Sequence, residues 1–143
     1  MQIIKKDQSR YVLRFDKGEE LLEELKKFCE NKKIYAAFFY GIGAADAGII
    51  SYYNLEEGFY EDQEIKGHHE VVNLMGNVTK GKEELMIHVH GTLADKQLKP
   101  IAGHIKKLKI SWTIELKLDV FPGTIKKVVP DGAEAARMEV QLD

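Results

Sequence analysis

"KLKISWTIELKLDV", Lys107–Val120, alternates without a break. Leu108, Ile110, Trp112, Ile114, Leu116, Leu118 and Val120 take the even positions, and polar or charged residues take the odd ones. A period of two is that of a β-strand, whose successive side chains point to opposite faces. The stretch therefore predicts one long strand with its even side buried, ended by the turn pair Pro122–Gly123.

Working outward, "RYVLRF" (Arg10–Phe15) alternates in the same way and predicts a strand with Tyr11, Leu13 and Phe15 on its apolar face. Asp16 can cap a helix, and Glu19 comes three residues later, at capping-box spacing. Leu21, Leu22, Leu25, Phe28 and Cys29 then form one helical stripe, so a helix is expected from about Glu19 to Lys32, with Cys29 in the core. "IYAAFFYGIGAADAGII" reads as two buried strands joined by a turn, the first of them buried on both faces. Its "GIGAAD" is similar to the start of a dinucleotide-binding loop. It lacks the third glycine, and the residues after it are strand-like rather than helical, so the glycines serve a turn or bulge.

"LEEGFYEDQEIKG" suggests a hairpin or exposed edge, "HEVVNLMGNV" a strand, and "ELMIHVHGTL" the next strand after the turn "KGKE". "ADKQLKP" is a loop, and a short terminal strand is expected around Arg137–Leu142. Many strands, hairpin-length connections and one helix make an α+β fold: a mostly antiparallel sheet flanked by that helix.

The 143 residues suit a single domain (1–143) large enough to bury a core. A net charge of −2 draws the chain neither to nucleic acid nor to an anionic membrane. The lysines at 106, 107 and 109 and at 126 and 127 read as solvated faces. One cysteine permits no internal disulfide and suits a reducing cytoplasm. "MQIIKKDQSR" has no apolar run of the kind a signal peptide needs.

The chemistry sits in "LMIHVHGTLADKQLKPIAGH", which holds His88, His90 and His104. On a strand, His88 and His90 share a face, while Ile87 and Val89 point into the core. His104 comes after a loop that could return it beside the pair, next to Gly103. Three neutral imidazoles suit a divalent transition metal, Zn²⁺ first, with Ni²⁺, Cu²⁺ and Fe²⁺ as alternatives. Histidines on half-buried strands with ordinary hydrogen-bond partners are the competing reading. Glu70 is the candidate to orient a ligand from outside the metal's own donor set or to act as general base, because it begins the strand before the histidine strand. His68 and His69 are adjacent, face opposite ways in a strand, and read as surface residues or supports.

"GIGAADAGIISYYN", "HEVVNLMGNVT", "LMIHVHGTLADKQLKPIAGHI" and "SWTIELKL", in this order, resemble the plants-and-prokaryotes-conserved (PPC) domain over nearly the whole chain. The most specific pieces are Glu70 through Gly76-Asn77, the H-x-H of His88 and His90, and the step Gly103-His104. The resemblance implies an antiparallel sheet with a flanking helix, assembly as a homotrimer, and a metal site at His88, His90 and His104. "IAGH" departs from the pattern, with Ala102 where a second glycine is usual. There is no Arg-Gly-Arg-Pro AT-hook, so the DNA-binding role of the plant proteins does not carry over.

Two readings of function are open. One is a homotrimeric metalloprotein that binds or transforms a small anionic or carbonyl-bearing molecule. The other is a non-enzymatic oligomerisation and partner-binding module.

Overall fold

The computed structural model describes residues 1–131 and 135–140. Its elements run β1 (Gln2–Asp7), β2 (Arg10–Asp16), α1 (Leu21–Lys32), β3 (Ala37–Asn54), β4 (Phe59–Lys80), β5 (Leu85–Ala94), β6 (Pro100–Val120), β7 (Lys127–Val128) and β8 (Arg137–Met138). The first six strands form one antiparallel sheet in the order β1-β2-β6-β3-β4-β5. β5 also pairs with the start of β6, so β3, β4, β5 and β6 close on themselves. Such closure removes a sheet edge that would otherwise stay unpaired. Among the described residues no helix is long and apolar enough to cross a membrane.

The strand that carries the alternation is β6, and its buried side chains are Ile105, Leu108, Ile110, Ile114, Leu116 and Leu118. Trp112 breaks the expectation and is 73% exposed. Between Gly43↔Ile114 and Ala45↔Ile110, β6 spends four residues where β3 spends two. That bulge bends the strand and turns the indole out to solvent.

The run from Ile34 is not buried on both faces. Ala37 and Phe39 are buried, but Phe38, Tyr40 and Ile42 lie on the open side of the sheet. Nor does a turn divide the longer segment. β3 continues through it as one 18-residue strand with irregularities at Gly41/Gly43 and Ala45/Ala47. Likewise the acidic stretch and "HEVVNLMGNV" are one 22-residue strand, β4, and the β3–β4 turn lies before Phe59.

Helix α1 buries Leu21, Leu25, Phe28 and Cys29 against β5 and β6. Its cap is Glu20, whose carboxylate accepts the Glu23 N–H, rather than Asp16. The Glu19 carboxylate still accepts the Asp16 N–H at 2.8 Å, which makes the reciprocal contact just ahead of the helix. Among the described residues of the expected terminal strand, only Arg137–Met138 is strand. Val140 is exposed outside it, and Leu142 lies outside the described residues.

Register explains where the functional face lies. Leu118, Phe39, Gly76 and Val89 are successive cross-strand neighbours on the core side. One residue along, Asp119, Phe38, Asn77 and His88 form a row on the opposite face. Lys117, Tyr40, Met75, His90 and His104 form the next outer row. The three histidines thus sit on the face of the sheet turned away from the core.

Candidate metal centre

His88 and His90 are two apart on β5, so their rings project together, while Val89 between them is buried and Ile87 half-buried. His104 lies on β6 directly opposite His90, where the closing pair of strands brings it. The loop 95–99 makes this return possible. Asp95 holds it, accepting the backbone N–H groups of Gln97 and Lys99. One ring nitrogen from each histidine can be chosen so that all three lie within 4.8 Å of one another. Ring centroids are 4.9 to 5.4 Å apart.

The donor set fits a transition metal. The Nε2 atoms of His88 and His90 are 3.1 Å apart. Two nitrogens on a tetrahedral ion, with bonds of about 2.0–2.1 Å, stand about 3.3 Å apart. Nδ1 of His104 is buried without a hydrogen-bond partner among the described residues, a lone pair or N–H that they leave unsatisfied. The site also favours neutral imidazoles, the form that can donate to a metal. Burial, then the charges of Lys127, His104 and His90, lowers the His88 pKa to about 4. Burial again leads at His104, then His90, Lys106 and Lys127, and its pKa also falls to about 4. Asp62 opposes that shift.

Polar and aromatic neighbours steady His104. Its ring stacks on Tyr60 at 4.9 Å between centroids, and the Lys106 ammonium also lies over Tyr60, 4.9 Å from the ring centroid. Lys106 Nζ donates to Asp62 at 2.6 Å, and Ser51 Oγ donates to the same oxygen at 2.7 Å. These two hydrogen bonds hold the Asp62 carboxyl below its ordinary range. On the other side, His88 and His90 border an open hollow of about 550 Å³ lined by Phe38, Tyr40, Met75 and Asn77. The Oδ1 of Asn77, the cross-strand neighbour of His88, is buried and has no hydrogen-bond partner among the described residues.

The structure does not bring Glu70 to the three histidines. Glu70 pairs in register with Ala44 and Ala94, and its Oε1 is 3.3 Å from His68 Nε2. His68 Nδ1 is in turn 3.1 Å from Ser111 Oγ, and His68 borders a separate hollow beside Trp112. His69 turns its Nδ1 to the Gly67 carbonyl at 2.7 Å. The carboxylate associated with the centre is Asp62, which sequence spacing alone could not connect to a histidine 42 residues away.

Lys127 is a further correction. Read as part of a solvated face, it is instead buried, at 6% exposure, while its neighbour Lys126 is exposed. The signal was the period of two, which puts adjacent lysines of a strand on opposite sides.

Comparison with known proteins places this geometry. The model of the Plants and Prokaryotes Conserved (PCC) domain matches residues 3–122. The chain belongs to the PCC family. A protein from Pyrococcus horikoshii, named a plant- and prokaryote-conserved protein, is 28% identical to this PCC chain, with 93% of each chain covered and a TM-score of 0.84. A metal-containing protein from Archaeoglobus fulgidus is 22% identical, covering 100% of this chain and 99% of its own, with a TM-score of 0.81. A Bacteroides thetaiotaomicron protein with a provisional DNA-binding name has a TM-score of 0.89 at 22% identity, with 94% of each chain covered. No curated protein sequence matches the chain significantly.

Proposed function

We propose that this PCC domain is a metal-binding protein in which His88, His90 and His104 hold one divalent transition ion, Zn²⁺ before the alternatives, and that it binds or transforms a small molecule there. The observation that carries this reading is the convergence of three imidazole ligand atoms within 4.8 Å, two from one strand and one from its cross-strand neighbour. Three protein ligands leave a coordination position for water or ligand, the pattern of catalytic rather than structural zinc. A bound ion supplies Lewis acidity, polarising an oxygen or lowering the pKa of water toward neutrality. The protein's own contribution is placement. Tyr60 and the strand pairing orient His104, and Phe38, Tyr40 and Met75 give the hollow an apolar wall. Asn77 offers an unsatisfied acceptor beside His88. The metal-containing relative from Archaeoglobus fulgidus supports the reading.

The test is metal content per subunit by elemental mass spectrometry. It uses untagged protein purified without added metal, beside the His88→Ala/His90→Ala/His104→Ala variant. Near-stoichiometric metal, lost in the variant, is the expected result. A wild type that stays empty when zinc, nickel or iron is supplied refutes the reading.

Assembly as a homotrimer belongs to the same proposal. Tyr40, Ile42, Met75 and Trp112 leave a large apolar area in water on one chain. Apolar patches of this kind mark protein interfaces. Sedimentation equilibrium should give a mass three times the 16.3 kDa of the chain. That same face favours the second reading, a non-enzymatic assembly module. Trimers in the triple-histidine variant, together with a wild type that binds no small ligand, would favour it.

A further inference from the structure

His88 and His90 turn their Nε2 atoms toward each other, 3.1 Å apart. Those two nitrogens are the edges that an ion held between the rings would use. A neutral imidazole that ligates through Nε2 carries its proton on Nδ1, and that N–H needs an acceptor of its own. For His88, no hydrogen bond other than the contact with His90 is found among the described residues. Its ring is half-buried, so the acceptor has to come from a neighbouring side chain or from water.

The residue paired with His88 across the β4–β5 ladder is Asn77. Side chains directly opposite each other in antiparallel strands start about 4.5–5.5 Å apart at Cβ. Both residues lie on the outer face and border the same hollow. Oδ1 of Asn77 is buried and accepts no hydrogen bond among the described residues, an arrangement that folded proteins avoid. Its own row offers it no other donor. Phe38, on its other side, has no polar atom in its side chain, and Asp119 beyond is a carboxylate that meets Lys117 Nζ at 3.1 Å. Thr79, two residues along β4, already donates its hydroxyl to the Met86 carbonyl. The donor left in the row is the His88 ring.

We infer that Asn77 is a positioning residue of the metal centre. Its Oδ1 accepts the His88 Nδ1–H, which fixes the tautomer of that ring and aims Nε2 at the ion. Without metal the imidazole can carry its proton on either nitrogen, and the acceptor is left over. With Nε2 engaged the proton is confined to Nδ1, and the two unmet groups satisfy each other. A neutral amide does this with less donation to the ring than a carboxylate would give, so the ion keeps its Lewis acidity. The inference rests on the metal reading of His88, His90 and His104.

The test uses the full chain with nitrogen-labelled histidines. Zinc affinity is measured first, by competition with a chromophoric chelator. A wild type that takes no zinc refutes the metal reading itself, and this inference with it. In the zinc-loaded wild type, long-range proton–nitrogen correlation should find His88 protonated at Nδ1, with that proton exchanging slowly with water. Asn77→Leu keeps the volume and removes the acceptor. It should weaken zinc by about tenfold to a hundredfold, the usual loss for such a partner, and speed exchange of the His88 proton. With chelator present its urea midpoint should not fall, because a buried unmet acceptor has been removed. Asn77→Asp restores an oxygen whichever way the amide lies, and should bind zinc at least as tightly as the wild type. Met75→Leu alters the wall of the same hollow opposite His90 and should leave zinc affinity unchanged. Zinc-loaded His88 protonated at Nε2, or an Nδ1 proton that exchanges as fast as that of an exposed imidazole, overturns the inference while the metal reading stands. So does Asn77→Leu that loses stability but keeps its zinc affinity, or a loss in Asn77→Asp or Met75→Leu equal to that in Asn77→Leu. Should Asn77→Leu fail to fold, the His88 proton in the wild type and the affinity of Asn77→Asp still decide.

Discussion

Gly91 is next to His90 and lies opposite Gly103, where β5 and β6 meet. A methyl group there would stand 2.8 Å from three atoms: the Asn73 carbonyl oxygen, Ile105 Cδ1 and Leu74 Cδ2. Ordinary contact begins near 3.4 Å, so each neighbour must yield by several tenths of an ångström. Leu74 and Ile105 are fully buried and the third atom is backbone, so none of them can swing into solvent. Overpacking of this kind costs about 1–3 kcal/mol. Against it stands a gain of about 0.4–1 kcal/mol from a stiffer unfolded chain. The clash wins, and Gly91→Ala should lose about 1–2 kcal/mol. For a chain of this size that lowers Tm by about 3–8 °C.

A double-mutant cycle identifies the cause. Ile105→Val removes the Cδ1 atom that the new methyl meets, at its own cost of about 0.5–1.5 kcal/mol. In that background Gly91→Ala should cost about 0.5–1 kcal/mol less than in the wild type. The assay is thermal and urea unfolding monitored by circular dichroism, with chelator present so that metal does not contribute. A Gly91→Ala variant as stable as wild type, or strictly additive effects, would show that the close approach of these strands is not what requires the glycine.

Metal should raise stability through mass action. Zinc at a hundred times its Kd should add about 2.7 kcal/mol to unfolding, an increment absent in the triple-histidine variant and read by scanning calorimetry. Without metal, acid should weaken the fold. His88 and His104 have folded pKa values near 4, against 6.5 for the free side chain, so the unfolded chain binds more protons between those values. The stability these two sites confer is complete above pH 6.5 and is lost as the pH falls toward 4, by about 3 kcal/mol for the pair after screening. Urea midpoints at stepped pH should show that slope, and His88→Gln should flatten it. Cys29, whose thiol burial pushes up to about 12, should react with a thiol reagent such as DTNB only at the rate of unfolding. Rapid labelling of native protein would contradict its place under helix α1.

The period-two signal was legible wherever one face meets the core. β2, β6 and the histidine strand are examples, since alternation of apolar and polar side chains needs no knowledge of the partner strand. The helix was legible for the same reason at a period of 3.6, although its cap lies at Glu20 rather than Asp16. The failures share a cause. Trp112 alternates correctly and is nevertheless exposed, because a bulge depends on what β3 does opposite it. Phe38 and Tyr40 look buried because they are apolar, yet they lie on the outer face of the sheet, where Phe121 and Lys117 shield them only in part.

At the candidate site, the sequence alone determined that His88 and His90 share a face, because two residues along a strand is a local relation. It also offered His104, through the loop return and the family resemblance, as the candidate third ring. Only the tertiary structure decided that His104 stands opposite His90, that Asp62 rather than Glu70 belongs to the surroundings, and that the Lys127 side chain is buried while Lys126 is not. Those are relations between strands. They are set by register and by sheet closure, in which every backbone group and core side chain takes part. A single-residue shift of β5 against β6 would take His90 from His104 while leaving every local pattern in the sequence unchanged.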